Sequence, residues 1–165
     1  PMPIITTDIK YKLSGGAANS DPLLSIGGAK SSVDSSSAIF DDVSSAEASA
    51  GDVEYRCVYI LNNHGSLSYQ AAKVWIQAQT PSGDTDVAIG LAAAGLNAAE
   101  TAVANENTAP AGVTFSAPSS FAGGLSLGTI PAGQYYGVWV RRTVNAAAAS
   151  AADSFTLRVQ GDTNP

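Results

Sequence analysis

The sequence predicts an all-β chain: an antiparallel β-sandwich, immunoglobulin-like or jelly-roll in connectivity, with an extended N-terminal arm or loop region. Two segments carry most of that expectation. Across residues 51–61, Val53, Tyr55, Cys57, Tyr59 and Leu61 alternate with Glu54, Arg56, Val58 and Ile60, the two-residue period of a strand with two different faces. Across 134–143, Tyr136, Val138 and Val140 alternate with Tyr135, Trp139 and Arg141 in the same way. The third observation is rhythm. Seven to nine strand-like segments recur every ten to twenty residues, divided by turn residues and without the strand–helix alternation of a parallel α/β fold. Strand count leaves strand order open.

Taken in order, residues 1–12 form a short lead and a strand, with Ile9, Tyr11 and Leu13 alternating against Lys10 and Lys12. Residues 14–50 are Ser/Gly-rich and punctuated by Ser14-Gly15-Gly16, Asn19-Ser20-Asp21-Pro22 and Ile26-Gly27-Gly28. Leu23, Leu24, Ile26, Ile39 and Phe40 are spaced through this segment like anchors, which a disordered linker would not need. The expectation is an extended covering or partner-binding arm. On the strand over 51–61, the charged pair Glu54 and Arg56 precedes the apolar Val58 and Ile60, which suggests a strand entering a sheet interior from its rim. Asn62-Asn63-His64-Gly65 is its turn.

A strand follows over 69–80, with Val74, Ile76 and Ala78 opposite Lys73, Trp75, Gln77 and Gln79, and Pro81-Ser82-Gly83-Asp84 closes it. Another is expected over 85–91. The alanine-rich 92–104 has helical propensity, but Gly95 interrupts it and Leu96 and Val103 make too thin an apolar stripe, so irregular structure is the expectation. Short strands are predicted at 112–116 and 125–130, the strong strand at 134–143, a small-residue loop at 146–152 and a last strand at 154–160.

At 165 residues the chain reads as a single domain, 1–165, large enough to bury about two-thirds of its unfolded surface. Its 45% hydrophobic content is inflated by 29 alanines, against two Trp, six Tyr and four Phe, so long stretches with little core of their own are expected. Eight basic and fourteen acidic residues give a charge of −6, and only Arg141 and Arg142 are adjacent, so no basic stripe suits a nucleic acid. No apolar run is long enough for a membrane span and no basic-then-apolar leader opens the sequence; synthesis in the cytoplasm fits.

Candidate chemistry is sparse. His64 is the lone histidine and reads as a turn residue, because acid–base work needs a positioned partner and a pocket. Cys57 reads as a small buried hydrophobe, its neighbour Arg56 pointing to the opposite face. Asp41-Asp42 and Asp84-Thr85-Asp86, with Glu100 or Glu106, are the best oxygen ligands for a structural calcium ion, although neither stretch matches the twelve-residue calcium loop and solvated turns are the plainer reading. The Gly-Gly pairs lack the Lys-Ser/Thr of a phosphate cradle. These features favour no enzyme and no cofactor. Partner contacts are instead expected from the arm residues Leu23, Leu24, Ile26, Ile39 and Phe40, from Trp75 and Trp139, and from Arg141 and Arg142.

The wording of several segments adds a resemblance. Tyr11-Lys12-Leu13-Ser14-Gly15-Gly16, Asn19 to Pro22, Ser25 to Gly28, Asp52-Val53-Glu54-Tyr55-Arg56-Cys57, Ala104 to Thr108, Ile130 to Gly133 and Val138-Trp139-Val140-Arg141-Arg142 resemble a family of tailed-bacteriophage virion structural proteins, over nearly the whole chain. The resemblance implies a capsid decoration (cement) protein, trimeric on the outer head surface, contacting the major capsid protein and made in the bacterial host cytoplasm. Similar sandwiches serve in tails and baseplates, and a carbohydrate-binding host-attachment module is a further alternative. No catalytic residues carry over.

Overall fold

The computed structural model describes residues 2–35, 38–149 and 153–163. Among these the fold is all-β, with two antiparallel sheets. The strands are β1 (Ile9–Leu13), β2 (Asp52–Asn62), β3 (Tyr69–Ala78), β4 (Thr85–Leu96), β5 (Leu125–Ile130), β6 (Tyr135–Val144) and β7 (Thr156–Thr163). Four strands form one sheet in the order β1-β2-β6-β4, and three form the other in the order β5-β3-β7. Both strands that dominate the sequence pattern, β2 and β6, lie at the centre of the larger sheet, paired from Asp52↔Val144 to Leu61↔Tyr135.

The alternation along β2 is resolved as expected. Val58 and Ile60 join an apolar cluster to which both sheets contribute: Val87, Ile89, Val138 and Val140 from the larger, Val74, Ile76, Leu127 and Ile130 from the smaller. Each such side chain, fully buried, stabilises the fold by about 1.5–3 kcal/mol before entropy is counted. The opposite face carries a second cluster of Tyr55, Cys57, Tyr59, Ala92 and Trp139, roofed by Val103, Val113 and Phe115. Gly90 lets that roof come close, since a Cβ there would lie 2.5 Å from Val113 Cγ1 and 2.7 Å from the Thr114 carbonyl oxygen.

Strand ends shift by a residue or two elsewhere, but four segments differ more from expectation. β4 continues to Leu96, into the alanine-rich stretch, by way of a bulge: Leu91 pairs with Val138, yet the next partners are Leu96 and Tyr136. Residues 112–116 are not a ladder strand; only Ser116 bridges to Ile89, because the segment crosses the sheet face as a roof. β7 extends to Thr163. Within 14–50, expected to be extended, residues Ser45–Ala50 form a short helix, α1, capped by Ser44 and Glu47 bonding reciprocally to each other's backbone N–H. Residues 150–152 of the predicted small-residue loop lie outside the described residues.

The rest of the arm closes a sheet edge. β2 runs past the end of β1, and there the Cys57 N–H donates to the Ser25 carbonyl and the Tyr55 N–H to the Glu106 carbonyl, each at 2.7 Å. Ser14 Oγ and Ser25 Oγ both donate to the Cys57 carbonyl, at 2.7 and 3.1 Å. An edge that would otherwise present unpaired backbone is covered by two loops.

Candidate functional site

The densest concentration of charge lies where β2 and β6 begin and end, on the face that leads into the shared core. Glu54 and Arg142 are cross-strand partners, and Arg56 stands two residues along the same face. These charges were expected at a solvated rim; instead Glu54 and Arg56 are both 0% exposed. Arg142 Nε donates to Glu54 Oε2 at 2.6 Å, and its Nη2 also pairs with that oxygen. Arg56 Nη2 pairs with Glu106 Oε2 at 2.7 Å. Asp41 sits between the two guanidiniums, 3.8 Å from Arg56 and 3.5 Å from Arg142.

The arm supplies the lid over this corner. Arg56 Nε donates to the Ile39 carbonyl at 3.0 Å and Arg142 Nη1 to the Asp41 carbonyl at 2.6 Å. Between those two anchors the Phe40 ring lies 5.1 Å from the Arg56 guanidinium and 4.8 Å from that of Arg142. A cavity of about 370 Å³ opens beside it, lined in part by Phe40, Asp41, Val87, Arg142, Asp153 and Phe155. Burial pushes the Glu54 carboxyl above its ordinary range, against the pull of Arg142. Its Oε1 is buried without a hydrogen-bond partner among the described residues.

Among the proposed calcium ligands, Asp41 and Glu106 come together here, on either side of arginine. Asp42 is exposed nearby, and Asp84 and Asp86 belong to the start of β4 and its preceding turn, where Asp84 Oδ2 accepts from Ala149 N–H at 3.2 Å. Glu100 belongs to the other face of the sheet. There its Oε1 accepts from Trp139 Nε1 at 3.0 Å and from Ala93 N–H at 3.2 Å, and its Oε2 from Ala94 N–H at 2.9 Å. The two alanine N–H groups are those the β4 bulge removes from the ladder. Tyr59 completes the set, accepting from Glu100 N–H at 2.7 Å and donating to the Gly28 carbonyl at 2.6 Å.

Several predicted contact residues have internal roles instead. Trp139 is fully buried, and Trp75 is 6% exposed with its ring edge-to-face on Phe121. Ile39 belongs to the shared core, Phe40 packs against it and meets Phe155 edge-on, and Arg142 is committed to Glu54 and the arm. Arg141 faces the opposite side, 5.1 Å over the Phe115 ring. Ile26 is half-buried, with its carbonyl accepting from Val103 N–H. Leu23 and Leu24 are 43% and 57% exposed, on a 3₁₀ turn over Pro22–Leu24 that Asp21 caps through the Leu23 N–H.

Cys57 is fully buried, and burial drives its thiol well above the ordinary range, so it is protonated and unreactive. His64 lies in the expected turn, partly exposed, and orders it. Its Nδ1 accepts from Ser66 and Leu67 N–H at 3.1 and 3.0 Å, which places the proton on Nε2, 3.2 Å from the Met2 carbonyl. No helix among the described residues is long and apolar enough to cross a membrane. Comparisons with protein-family models, with curated proteins and with solved structures find no match. Function therefore has to be argued from the residues themselves.

Proposed function

We propose that this chain is a non-enzymatic structural protein of a tailed-phage virion, trimeric on the outer capsid surface, where it binds the major capsid protein and reinforces the shell. The observation that carries this reading is the arm. Residues 14–35 are tied to the edge of β2 by Ser14 and Ser25, and Asn19 Nδ2 donates to the Ser14 and Asp21 carbonyls at 2.6 and 2.9 Å. That frame holds Leu23 and Leu24 outward on a capped turn. A pre-ordered apolar knob binds without the entropic cost of ordering a loop, and lattice symmetry multiplies weak contacts of this kind. The phage setting rests on the wording of Asp52–Cys57 and Val138–Arg142 in the sequence.

In this reading the two sheets face each other as a β-sandwich. Strand order favours jelly-roll over immunoglobulin-like connectivity: β3 pairs with β5 inside the pairing of β2 with β6. The immunoglobulin order would place β5 between β2 and β4 and move β6 to the other sheet. The buried state of Trp75 and Trp139 argues against a glycan-binding module built on those rings.

The test compares capsids with and without the protein in thermal and chemical disassembly. Capsids at full occupancy should disassemble at higher temperature or denaturant than bare ones; identical curves would sink the cementing role. A Leu23→Asp/Leu24→Asp double variant should keep its circular dichroism spectrum and lose capsid binding. Density in an intact virion on the tail or baseplate, and none on the head, would overturn the assignment to the capsid.

A further inference from the structure

The passage from α1 into β2 gathers three carboxylates within eight residues of chain. Glu47 is the capping residue of α1, Gly51 turns the chain at φ +80°, and Asp52 and Glu54 follow on one face of β2. One oxygen from each of Glu47, Asp52 and Glu54 lies within 4.8 Å of the others. Acidic clusters are common on surfaces, but this one reaches into the interior. Glu54 is 0% exposed, Arg142 occupies its Oε2, and its Oε1 is buried with no hydrogen-bond partner. An ionised carboxylate oxygen in that position is costly unless something positive meets it.

The geometry points to a calcium-binding site formed by Glu47, Asp52 and Glu54. Each outer carboxylate is already oriented through one oxygen: Glu47 Oε2 accepts from Ser44 N–H at 2.6 Å and Asp52 Oδ1 from Asn107 Nδ2 at 2.8 Å. Among the described residues Glu47 Oε1 and Asp52 Oδ2 form no hydrogen bond, which leaves one oxygen of each for a cation. Three negative charges face a single guanidinium, Arg142, which also serves Asp41, so a divalent ion balances the charge. The donor set suits calcium. Three carboxylates from a helix turn and a strand fit the flexible, oxygen-rich coordination of Ca²⁺, whereas Mg²⁺ demands a near-ideal octahedron and is usually held by one or two carboxylates and several waters. In the neighbouring trio Asp41, Glu54 and Glu106, Arg56 and Arg142 already pair with every carboxylate and offset two of the three charges. The calcium site therefore lies at the helix–strand corner, away from the acids that stand adjacent in sequence.

The experiment is calorimetric titration of chelator-stripped protein with calcium chloride, alongside thermal melts in calcium and in magnesium. One calcium per chain should bind, the melting temperature should rise at ~5 mM calcium, and magnesium should raise it less. Asp52→Asn and Glu47→Gln are the deciding variants, because Glu54→Gln also loosens Arg142. Each should weaken calcium binding at least about tenfold while leaving the far-ultraviolet spectrum unchanged. No heat and no melting shift in the parent protein, or a calcium response unaltered in both variants, overturns the site. Neither result bears on capsid binding, which is read separately.

Discussion

The four-stranded sheet buries a carboxylate on each face, and the two are accommodated by opposite means. On the outer face Glu100 is surrounded by neutral donors, the indole of Trp139 and two backbone N–H groups freed by the β4 bulge. On the core-side face Glu54 is met by a guanidinium, within a chain of charges running through Asp41, Arg56 and Glu106. The dipolar arrangement uses both carboxylate oxygens and closes on itself. The ionic one leaves Glu54 Oε1 unmet. A carboxylate solvated by fixed backbone serves the fold alone, whereas one paired with side chains can exchange partners.

The largest effect should come from the dipolar side. Glu100→Leu strips the acceptor from three buried donors at once and should cost about 4 kcal/mol in urea unfolding, at about 1–3 kcal/mol per orphaned group. No second substitution can rescue it, because two of the donors are backbone. The ionic side behaves differently. Arg142→Leu alone should cost about 3 kcal/mol by leaving Glu54 buried and unpaired, while the Glu54→Leu/Arg142→Leu double variant should recover at least half of that. A double variant no more stable than Arg142→Leu would erase the distinction between the two faces.

Asp153 provides an intermediate case, a carboxylate held by hydroxyls near solvent. Burial alone would raise its pKa, but the hydroxyls of Ser82 and Thr85 and the Ser82 N–H outweigh that and hold it below the ordinary aspartate range. A depressed folded-state pKa gives stability that is complete above the unfolded-state value and lost as pH falls through the folded one. Asp153→Asn should therefore shift stability slightly at neutral pH and flatten its decline below about pH 4, measured by urea titration across pH. The smallest expected response is from Cys57. Iodoacetamide should leave it unmodified in the native protein and label it fully after denaturation, by mass spectrometry. Native labelling at a rate like that of free cysteine would mean that the arm over Ser25 opens readily.

Much of the fold was legible because β2, β3 and β6 have the period of a half-buried strand, with little competition from helical spacing. α1 was missed although Ser44 and Glu47 stand at the spacing of a capping box, since the surrounding Ser/Ala composition suggests an extended arm. β4 beyond Leu91 was illegible for a different reason. Its alanines have no strand preference, and their place depends on the Glu100 side chain arriving from another segment. The charged corner was misread as a rim because a strand's alternation tells which face a residue takes, not what covers it. Phe40 and the arm backbone supply that cover from residues distant in sequence. A buried glutamate and a buried arginine on facing strands were the available signal, but pairing them requires the register of β2 against β6.

The loops over the edge of β2 matter most when molecules are crowded. Tyr55 and Cys57 would otherwise offer free amides on an apolar strand, a template on which a neighbour's strand can add. With those amides held by Ser25 and Glu106, this stretch of β2 presents side chains rather than free backbone to a neighbour. A rise in local concentration then finds no template for strand addition along this stretch of β2, one route to amyloid-like growth that the two loops close.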